Sequence, residues 1–294
     1  MMICPFHSTV LQNTVNILQD TTYKVRPKDE AVPKLFQGLF IGEVFSTLVR
    51  MNDGEHHYVL KLVLSQALNH FDEEYIQQQI EQVIKDSKMI IDSPEMLTQA
   101  IQILPIMVIA RQIGMCPNNE LMNHVKQFVH CMSNPHLEEN IQSGNESTIW
   151  LYQQVQMANG PLKQQLVEKC AEQNITDTLI INSNLLGFFF QTLDGTSGLI
   201  GLTLLESQLL SIKNTRRFLE NEMIVVPLQD DEESLQFGIG LHQCPGKLWA
   251  KTIVKTIVQY LMELPIQKDW LQNYEWKASM NANVPLFTSK GETE

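Results

Sequence analysis

Apolar residues recur at helical spacing along most of the chain, and segments that alternate apolar and polar positions are rare. A turn at residues 52–54 precedes a helical pattern over residues 59–68, and residues 76–91 form an amphipathic pattern with a Gln- and Glu-rich face. Ser93 and Pro94 are typical of a helix N-cap and first turn. The same spacing predicts further helices over residues 119–132, 146–159, 161–173, 178–213 and 247–264.

The pattern favours one mainly α-helical domain over residues 1–294. The single β-like segment is at residues 223–227, followed by an acidic loop at residues 230–233 and a tail that we expect to be irregular up to residue 294. We find no internal repeat, low-complexity tract or linker in the sequence.

Composition and charge exclude several classes of protein. The 294 residues are 44% apolar, which is enough for a substantial core and argues against disorder. Acidic residues outnumber basic ones by 33 to 21, and a net charge of −12 disfavours binding to nucleic acid. The odd number of five cysteines, without a repeated short spacing, indicates free thiols and a reducing compartment rather than a disulfide framework. These are Cys4, Cys116, Cys131, Cys170 and Cys244.

Neither the start of the chain nor its most apolar stretch has the pattern of a membrane segment. Residues 1–6 lack a charged region followed by an apolar run, so we expect no secretory signal. Residues 185–205 are interrupted by Gln191 and Asp194, which is typical of a buried helix rather than of a membrane span. We therefore expect a cytoplasmic protein without a membrane partner.

The segment with the clearest chemistry is F-G-I-G-L-H-Q-C-P-G over residues 237–246. Two glycines, Gly238 and Gly240, let the backbone approach a flat ligand closely. Cys244 stands just before a predicted helix, whose free N–H groups favour a thiolate and are expected to lower its pKa. A thiolate in such a loop suits a soft metal, and one thiolate on porphyrin iron is the haem-thiolate arrangement.

These ten residues resemble the cysteine-ligand loop of the cytochrome P450 family, with Phe, Gly, Gly, His, Cys and Gly at the same relative positions. The resemblance implies haem b as cofactor and Cys244 as the axial iron ligand. It also implies His242 as a partner of a haem propionate, Phe237 beside the cysteine sulfur and Gly246 as part of the cofactor-binding loop. The alternative is a buried structural cysteine next to a surface histidine.

Residues 50–61 resemble the family's helix that offers a histidine and, four residues on, a basic residue to the haem propionates. The spacing places His57 and Lys61 on one helix face. His56 competes for the first role, but only His57 has a basic residue at the right distance. The alternative is a solvated face that happens to carry both residues.

Residues 191–201 are similar to the family's long helix on the distal side of the haem. There the pattern implies an acid, Asp194, followed by a threonine that helps to move protons. Here Gly195 occupies the threonine position and Thr196 follows it, turned by about 100° on a helix. The resemblance thus implies Asp194 and Thr196 as catalytic residues, and a kinked core helix is the alternative.

The resemblance extends weakly to residues 214–218, where Arg217 or Arg216 would contact a propionate. The family's Glu-x-x-Arg helix is missing, because none of the five arginines has a glutamate three residues before it. The gap from Gly201 to Phe237 is also short for the family. We therefore expect a truncated cytochrome P450-like fold, a helical bundle around a haem with little β-sheet.

The resemblance implies a haem-thiolate oxidoreductase, a monooxygenase or related enzyme acting on a small organic molecule, with a biosynthetic intermediate as one candidate. Two alternatives remain: a haem-thiolate isomerase, dehydratase or peroxide-using enzyme that needs no external electrons, and a non-catalytic haem- or partner-binding relic. An electron donor of the ferredoxin or flavodoxin type would dock on lysines spaced four apart on the last predicted helix, which otherwise form a solvated face. These lysines are Lys247, Lys251 and Lys255, opposite Trp249, Ile253 and Ile257.

We expect the substrate pocket to be apolar or aromatic, which does not select among small or carrier-bound molecules. The residues expected to line it come from the distal helix and from the region before Arg50. They are Leu186, Phe189, Phe190, Leu193, Phe36, Leu39, Phe40 and Val44.

Overall fold

The computed structural model describes residues 13–228, 233–267, 269–279 and 282–289. After a helical segment over residues 13–19, the main helices follow in chain order. They are α1 (Phe40–Thr47), α2 (Gly54–Asn69), α3 (Glu73–Ser87), α4 (Pro94–Ile113), α5 (Asn119–Ser133), α6 (Ile141–Met157), α7 (Pro161–Glu172), α8 (Thr178–Leu204), the one-turn α9 (Glu233–Gln236) and α10 (Lys247–Glu263). The strands are β1 (Asn214–Leu219), β2 (Glu222–Pro227), β3 (Tyr274–Trp276) and β4 (Pro285–Phe287).

Local capping explains where several helices begin and end. The Ser93 hydroxyl accepts a hydrogen bond from the Met96 amide at the start of α4, with Pro94 in the first turn, as the sequence predicts. Gly114 ends α4 in the left-handed conformation, with φ of 95°. The Asn118 side chain caps α5 in the same way as Ser93 caps α4.

Helix α8 is the central helix of the fold. It contacts α1, α4, α5, α6 and α10, and residues such as Leu185 and Phe189 on it are fully buried. Helix α4 is long and apolar enough to cross a membrane by length and composition alone, but most of it is buried against its neighbours, as in the core helix of a globular fold.

Two glycines of α8 allow the C-terminal part of the chain to pack directly against the helix. A Cβ atom on Gly198 would lie 2.5 Å from the Asn283 carbonyl oxygen, and one on Gly201 would lie 2.4 Å from Cγ of Pro285. Because no side chain fits at either position, the close approach of β4 requires glycine there. The strand is held further by the Thr98 hydroxyl, which donates to the Phe287 carbonyl.

The small amount of sheet consists of two antiparallel pairs in the described residues, β1 with β2 and β3 with β4. Strand β2 confirms the β-like segment predicted at residues 223–227. The prediction that the tail is irregular was wrong, because Tyr274–Trp276 pairs with Pro285–Phe287. Helix α8 also ends at Leu204, well before the predicted residue 213, since Glu206 has a positive φ of 50°.

The mainly α-helical fold with little sheet is confirmed. Where the described chain connects Leu204 to Asn214 it contains no helix, so the segment that carries Glu-x-x-Arg in the P450 family has no counterpart at that place. The predicted acidic loop lies mostly outside the described residues, as does Cys4.

Candidate functional site

The cysteine loop folds back on itself before α10. Gly238 and Gly240 have φ of 67° and 66°, a conformation that strongly favours glycine. The Cys244 amide donates to the Phe237 carbonyl oxygen at 2.7 Å and closes the loop. Gly246 is the N-cap residue of α10, so the Cys244 thiol lies just ahead of the first turn of that helix, as predicted.

The expected low pKa of the Cys244 thiol was wrong for the protein without a ligand. Burial raises the pKa of this thiol, because the surrounding protein disfavours the thiolate. A hydrogen bond from the Gly246 amide and the positive charges of Lys61 and Arg50 act in the opposite direction without overcoming burial. A cation bound at the sulfur would favour the thiolate directly.

The thiol faces a cavity of about 360 Å³. Eight of the nine predicted site residues line this cavity, and the exception is Asp194. The eight are His57, Lys61, Thr196, Arg217, Phe237, His242, Cys244 and Gly246. A second cavity of about 300 Å³, between α2 and the cysteine loop, is lined by Cys244 as well as by His57 and Lys61. The fold therefore brings together residues that are up to 189 positions apart in the chain.

His57 and His242 lie against each other, with ring centroids 4.1 Å apart. The buried His57 ring has its Nδ1 atom 2.8 Å from the Val49 carbonyl and its Nε2 atom 3.1 Å from the Leu241 carbonyl. A neutral imidazole has one N–H and satisfies one of these two carbonyls. His57 therefore connects Val49, in the segment before α2, to Leu241 in the cysteine loop.

Asp53, at the N-cap position of α2, links the N-terminal segment to the cysteine loop. Its carboxylate accepts hydrogen bonds from the Val25 amide at 2.9 Å and from Nε2 of His242 at 3.0 Å. Burial alone would raise the pKa of the Asp53 carboxyl, but these hydrogen bonds outweigh it and leave that pKa below its usual value. Burial lowers the pKa of the His242 imidazole, against the opposing effect of Asp53. The pair is a neutral imidazole that donates to a carboxylate.

Two of the predicted propionate partners are held by nearby oxygens. Arg217, on β1, is buried and donates to the Thr215 hydroxyl and to the Arg216 carbonyl oxygen. The Lys61 ammonium donates to the Gln243 carbonyl oxygen in the cysteine loop. Burial lowers the pKa of both Arg217 and Lys61.

On α8 the predicted acid and alcohol point in different directions. Thr196 lines the cavity, and Thr192, one turn earlier, lines it too. Asp194 is instead ion-paired with the Lys277 ammonium just after β3. Helix α8 is continuous through Gly195. A Cβ atom added at this position would lie 3.7 Å from its nearest neighbour, so the space there is sufficient for a side-chain methyl group.

The prediction of the apolar pocket lining was wrong for most of its residues. Of the eight expected residues, Phe190 alone is among those that line the cavity, and residues such as Leu186, Phe189 and Val44 are fully buried in the hydrophobic core. The face of α8 that meets the cavity is instead offset around the helix. It comprises Asn184, Phe188, Phe190, Gln191, Thr192, Gly195, Thr196 and Leu199.

Sequence reasoning assigned no role to Arg50 or Arg26, and both line the cavity. With Arg216 and Arg217, four of the five arginines of the chain border this one space. No Asp or Glu is found among the described residues of its wall. This clustering of arginines arises from the fold and is not visible in the local sequence around each of them.

The lysines on α10 lie opposite its buried side, as the pattern predicts. Trp249, Ile253 and Ile257 are nearly or fully buried. The Lys255 ammonium pairs with the Glu73 carboxylate at 3.0 Å, and the Lys247 ammonium lies 5.5 Å from the centre of the Phe237 ring. Part of this surface is therefore already paired within the chain.

The residues around the cavity fit a haem. The thiol at its wall is a suitable soft ligand for iron, and the cationic wall complements the two carboxylates of the porphyrin. Gly238 lines the cavity as well and has no side chain that would occupy it. Lys61 and Arg217 on this wall can donate to carboxylates, as can the other arginines that line it. His57 and His242 also lie on the wall, but both ring nitrogens of His57 and Nε2 of His242 already contact groups of the protein.

Comparison with known proteins finds likeness in structure and none in sequence. No protein-family model matches the sequence, and no curated protein matches it. The crystal structure of CalO2 is similar at a TM-score of 0.72 and 13% identity, over 94% of this chain and 89% of that one. P450BioI, solved in complex with an acyl carrier protein ligated with hexadec-9Z-enoic acid, gives a TM-score of 0.68 and 14% identity, over 93% and 88% of the two chains.

A third solved structure agrees. Cytochrome P450 260B1 of Sorangium cellulosum So Ce56 gives a TM-score of 0.68 and 13% identity, over 95% of this chain and 88% of that one. Structural similarity at these TM-scores establishes the fold, whereas identities of 13–14% leave the chemistry to be argued from the residues. The chain has the cytochrome P450 fold.

Proposed function

We propose that the protein is a haem-thiolate oxidoreductase that acts on a small organic molecule. The observation that carries the proposal is the position of the Cys244 thiol at the wall of a cavity that also contains His57, Lys61, Arg217 and His242. When bound, the haem would supply an iron centre that oxidises organic molecules by activating oxygen or peroxide, with haem b held by Cys244.

The chain's own residues position and isolate this chemistry. Lys61 and Arg217 contribute positive charges that face carboxylates in the proposed role. His57 and His242 would join them by exchanging their present partners, the backbone carbonyls and Asp53, for a carboxylate. Phe237 and Gly246 shape the loop around the sulfur, the former through its carbonyl contact with the Cys244 amide.

Proton movement above the cofactor is assigned to the alcohols of α8. Thr196 and Thr192 line the cavity on the same helix face, so a hydroxyl proton on either is available to a bound molecule. Asp194 remains a candidate acid in this proposal, but its carboxylate is paired with Lys277 outside the cavity wall. It would act only after that ion pair opens.

Reduced-plus-CO difference spectroscopy of the haem-reconstituted protein tests the proposal. The wild type and Cys116→Ser, which alters an exposed cysteine, are expected to give the Soret band of thiolate-ligated haem. Cys244→Ser is expected to lose that band. Protein that stays colourless after reconstitution, or a Cys244→Ser variant with an unchanged band, would contradict the proposal.

A second candidate is a haem-thiolate isomerase, dehydratase or peroxide-using enzyme. The outward ion pair of Asp194 and the glycine at position 195 favour it, because both weaken the proton relay of a dioxygen-dependent enzyme. Thr196→Ala is expected to abolish most turnover with reductant and dioxygen, but to leave an isomerisation or peroxide-driven reaction nearly unchanged. A protein that gives the Soret band of thiolate-ligated haem but catalyses none of these reactions would favour the third alternative, a non-catalytic haem-binding relic.

The proposed setting is the cytoplasm, with an electron donor of the ferredoxin or flavodoxin type. The exposed Lys251 and Lys255 on α10 lie on the cysteine side of the fold and would contact an acidic donor. Lys255 would first have to exchange its pairing with Glu73, and Lys251 would likewise have to exchange its own contact within the chain. The acyl carrier protein bound by P450BioI adds a carrier-bound substrate as a possibility to test.

A further inference from the structure

We propose that the substrate is an uncharged molecule with a hydroxyl or carbonyl oxygen between two apolar parts, and that Thr192 and Gln191 on α8 bind this oxygen. The inference deepens the proposed function, on which it rests, by naming the substrate class. It is carried by the order of the side chains along one face of α8, by buried hydroxyls without a partner and by the charge balance of the cavity wall.

One face of α8 meets the cavity with apolar ends and a polar middle. Its residues recur three or four positions apart, which places them on the same side of the helix. A phenylalanine and a leucine stand at the two ends, and an amide and two hydroxyls lie between them around a glycine. In chain order the residues are Phe188, Gln191, Thr192, Gly195, Thr196 and Leu199. A molecule along this face would therefore meet hydrogen-bonding groups at its middle and apolar groups at both ends.

The hydroxyls of Thr192 and Thr196 are buried in the protein but have no partner in it. The two residues are 9% and 6% exposed, and both line the cavity. Neither hydroxyl makes a hydrogen bond within the residues that the structure describes, whereas the Thr203 hydroxyl on the same helix donates to the Leu199 carbonyl oxygen. Because a buried hydroxyl without a partner is costly, these two indicate a molecule in the cavity that hydrogen-bonds with them.

Access from the cavity separates these hydroxyls from other polar groups of α8. The hydroxyls of Ser183 and Ser197 also lack a partner among the described residues, but they are enclosed and do not line the cavity. Asn184 lines it, yet its side chain is already hydrogen-bonded to the backbone at residues 47 and 49. The two threonine hydroxyls and the amide of Gln191, which makes no hydrogen bond in the described part of the chain, therefore remain for a ligand.

Gly195 leaves room beside these groups. It lies three positions after Thr192 and directly before Thr196, and a Cβ atom at this position would be 3.7 Å from its nearest neighbour, on Ile212. Since glycine has only a hydrogen there, a hydroxyl or carbonyl group can approach the helix between the two threonines. We assign Thr192 and Gln191 to the substrate, because the resemblance implies Thr196 for proton transfer.

Three of the five cations of the cavity wall have partners within the chain. The Glu30 carboxylate interacts favourably with the Arg26 guanidinium, and the Asp53 carboxylate does so with Arg217. Arg216 has a contact of its own elsewhere in the chain. These three side chains are therefore not waiting for a charged substrate.

The proposed haem balances the other two cations. Arg50 and Lys61 line the cavity, and both interact electrostatically with the Cys244 thiol. Ferric iron, the porphyrin nitrogens and one thiolate together are neutral, so the two propionates are the negative charges that the haem brings. They offset Arg50 and Lys61. Because no positive charge is left over, an uncharged substrate suits this cavity better than an acid.

A hydroxyl and an amide suit an uncharged oxygen because each of them can both donate and accept a hydrogen bond. The Thr192 hydroxyl and the Gln191 amide can thus donate to a carbonyl or accept from a hydroxyl. A hydrogen bond between uncharged groups in a protein is worth about three- to tenfold in an equilibrium constant. Removing the Thr192 hydroxyl should weaken the binding of an oxygenated molecule by that factor and leave the binding of a hydrocarbon unchanged.

Equilibrium dialysis of matched probes against the haem-reconstituted full chain, with the probe quantified by chromatography, tests the proposal. The oxygenated probes are 4-phenylbutan-2-ol and 4-phenylbutan-2-one. Butylbenzene lacks the oxygen, and 3-phenylpropanoate carries a charged group in its place. The wild type is expected to bind at least one oxygenated probe, and to bind it more tightly than the carboxylate. The alcohol and ketone arms then show which oxygen the site prefers.

Thr192→Val is expected to weaken the binding of that oxygenated probe about three- to tenfold relative to butylbenzene. Gln191→Leu should act in the same direction, Thr192→Ser should keep the wild-type ratio, and Thr203→Val should leave it unchanged. Thr203 is the matched control because it lies on the same helix and does not line the cavity.

Three results would overturn the proposal. They are an unchanged ratio in Thr192→Val, no binding of either oxygenated probe to the wild type, and tighter binding of the carboxylate than of both oxygenated probes. Circular dichroism establishes whether each variant is folded. If Thr192→Val does not fold, the ratio in Gln191→Leu decides in its place.

Haem content, measured as the pyridine haemochromogen, separates this inference from the proposed function. A wild type with the Soret band of thiolate-ligated haem, together with an unchanged ratio in an equally loaded Thr192→Val, would refute the inference alone. If the wild type takes up no haem, the proposed function fails, and the same dialysis ratios on the haem-free chain decide the inference.

Discussion

Replacing Asp53 by Asn tests whether the link between the N-terminal segment and the cysteine loop stabilises the fold. The carboxylate accepts from the Val25 amide and from the His242 ring, and 22% of the Asp53 side chain is exposed. Asn has one accepting oxygen, and its NH₂ group would face one of these two donors. Losing one charge-assisted hydrogen bond of this kind costs about 2 kcal/mol.

Urea unfolding followed by circular dichroism measures this change. For a chain of this size the dependence of unfolding free energy on urea is about 3 kcal/mol per M, so the midpoint should fall by about 0.7 M at pH 7. The difference between wild type and Asp53→Asn should persist at pH 5, because the folded pKa of Asp53 lies below its usual value. As the pH falls below about 4 and through the folded pKa, the carboxylate is protonated and the difference should shrink.

Asp86→Asn is the matched control. Asp86 pairs with Arg111 at 2.6 Å, but both side chains are substantially exposed. A surface pair of this kind contributes at most about 1 kcal/mol. The reasoning is refuted if Asp53→Asn unfolds at the wild-type urea concentration, or if Asp86→Asn is destabilised as much as Asp53→Asn.

Three further predictions concern packing and thiol chemistry. Gly201→Ala should lower the free energy of unfolding by about 1–3 kcal/mol because its Cβ has no room, whereas Gly195→Ala should be neutral or stabilising by up to about 1 kcal/mol in thermal melts. Phe189→Ala should cost about 3–5 kcal/mol in urea unfolding, since this side chain is 0% exposed. Burial raises the pKa of Cys131 to about 11, so iodoacetamide at pH 8 should alkylate the exposed Cys116 and leave Cys131 intact until the protein is denatured, as read by mass spectrometry.

Patterns that are local in sequence predicted most of the helices. The start of α4 follows from Ser93 and Pro94, whose capping roles depend only on adjacent backbone groups. The pairing of β3 with β4 was missed because each strand has three residues, too few to show alternation. The end of α8 was missed because apolar composition continues past Leu204, where the backbone turns at Glu206.

Of the nine site residues predicted from the resemblance that starts from the cysteine loop, eight line the cavity. The resemblance did not predict which of these residues contact each other. Asp53 and His242 are 189 positions apart, and no local signal joins them. Likewise, the sequence shows that Asp194 and Thr196 share a helix, whereas the ion pair with Lys277 depends on how the C-terminal part packs. The four arginines that line the cavity come together only through the fold, and nothing in the local sequence around each of them indicates it.

The packing of β4 on Gly198 and Gly201 has a consequence for the order of events during synthesis. Helix α8 supplies one wall of the cavity, but the strand that presses against it emerges from the ribosome only after α10 has been made. The newly made chain therefore holds α8 without its final support while most other helices can already dock. The part of α8 that carries Thr196 and Leu199, both on the cavity wall, would receive its final packing only once the chain up to Phe287 has emerged.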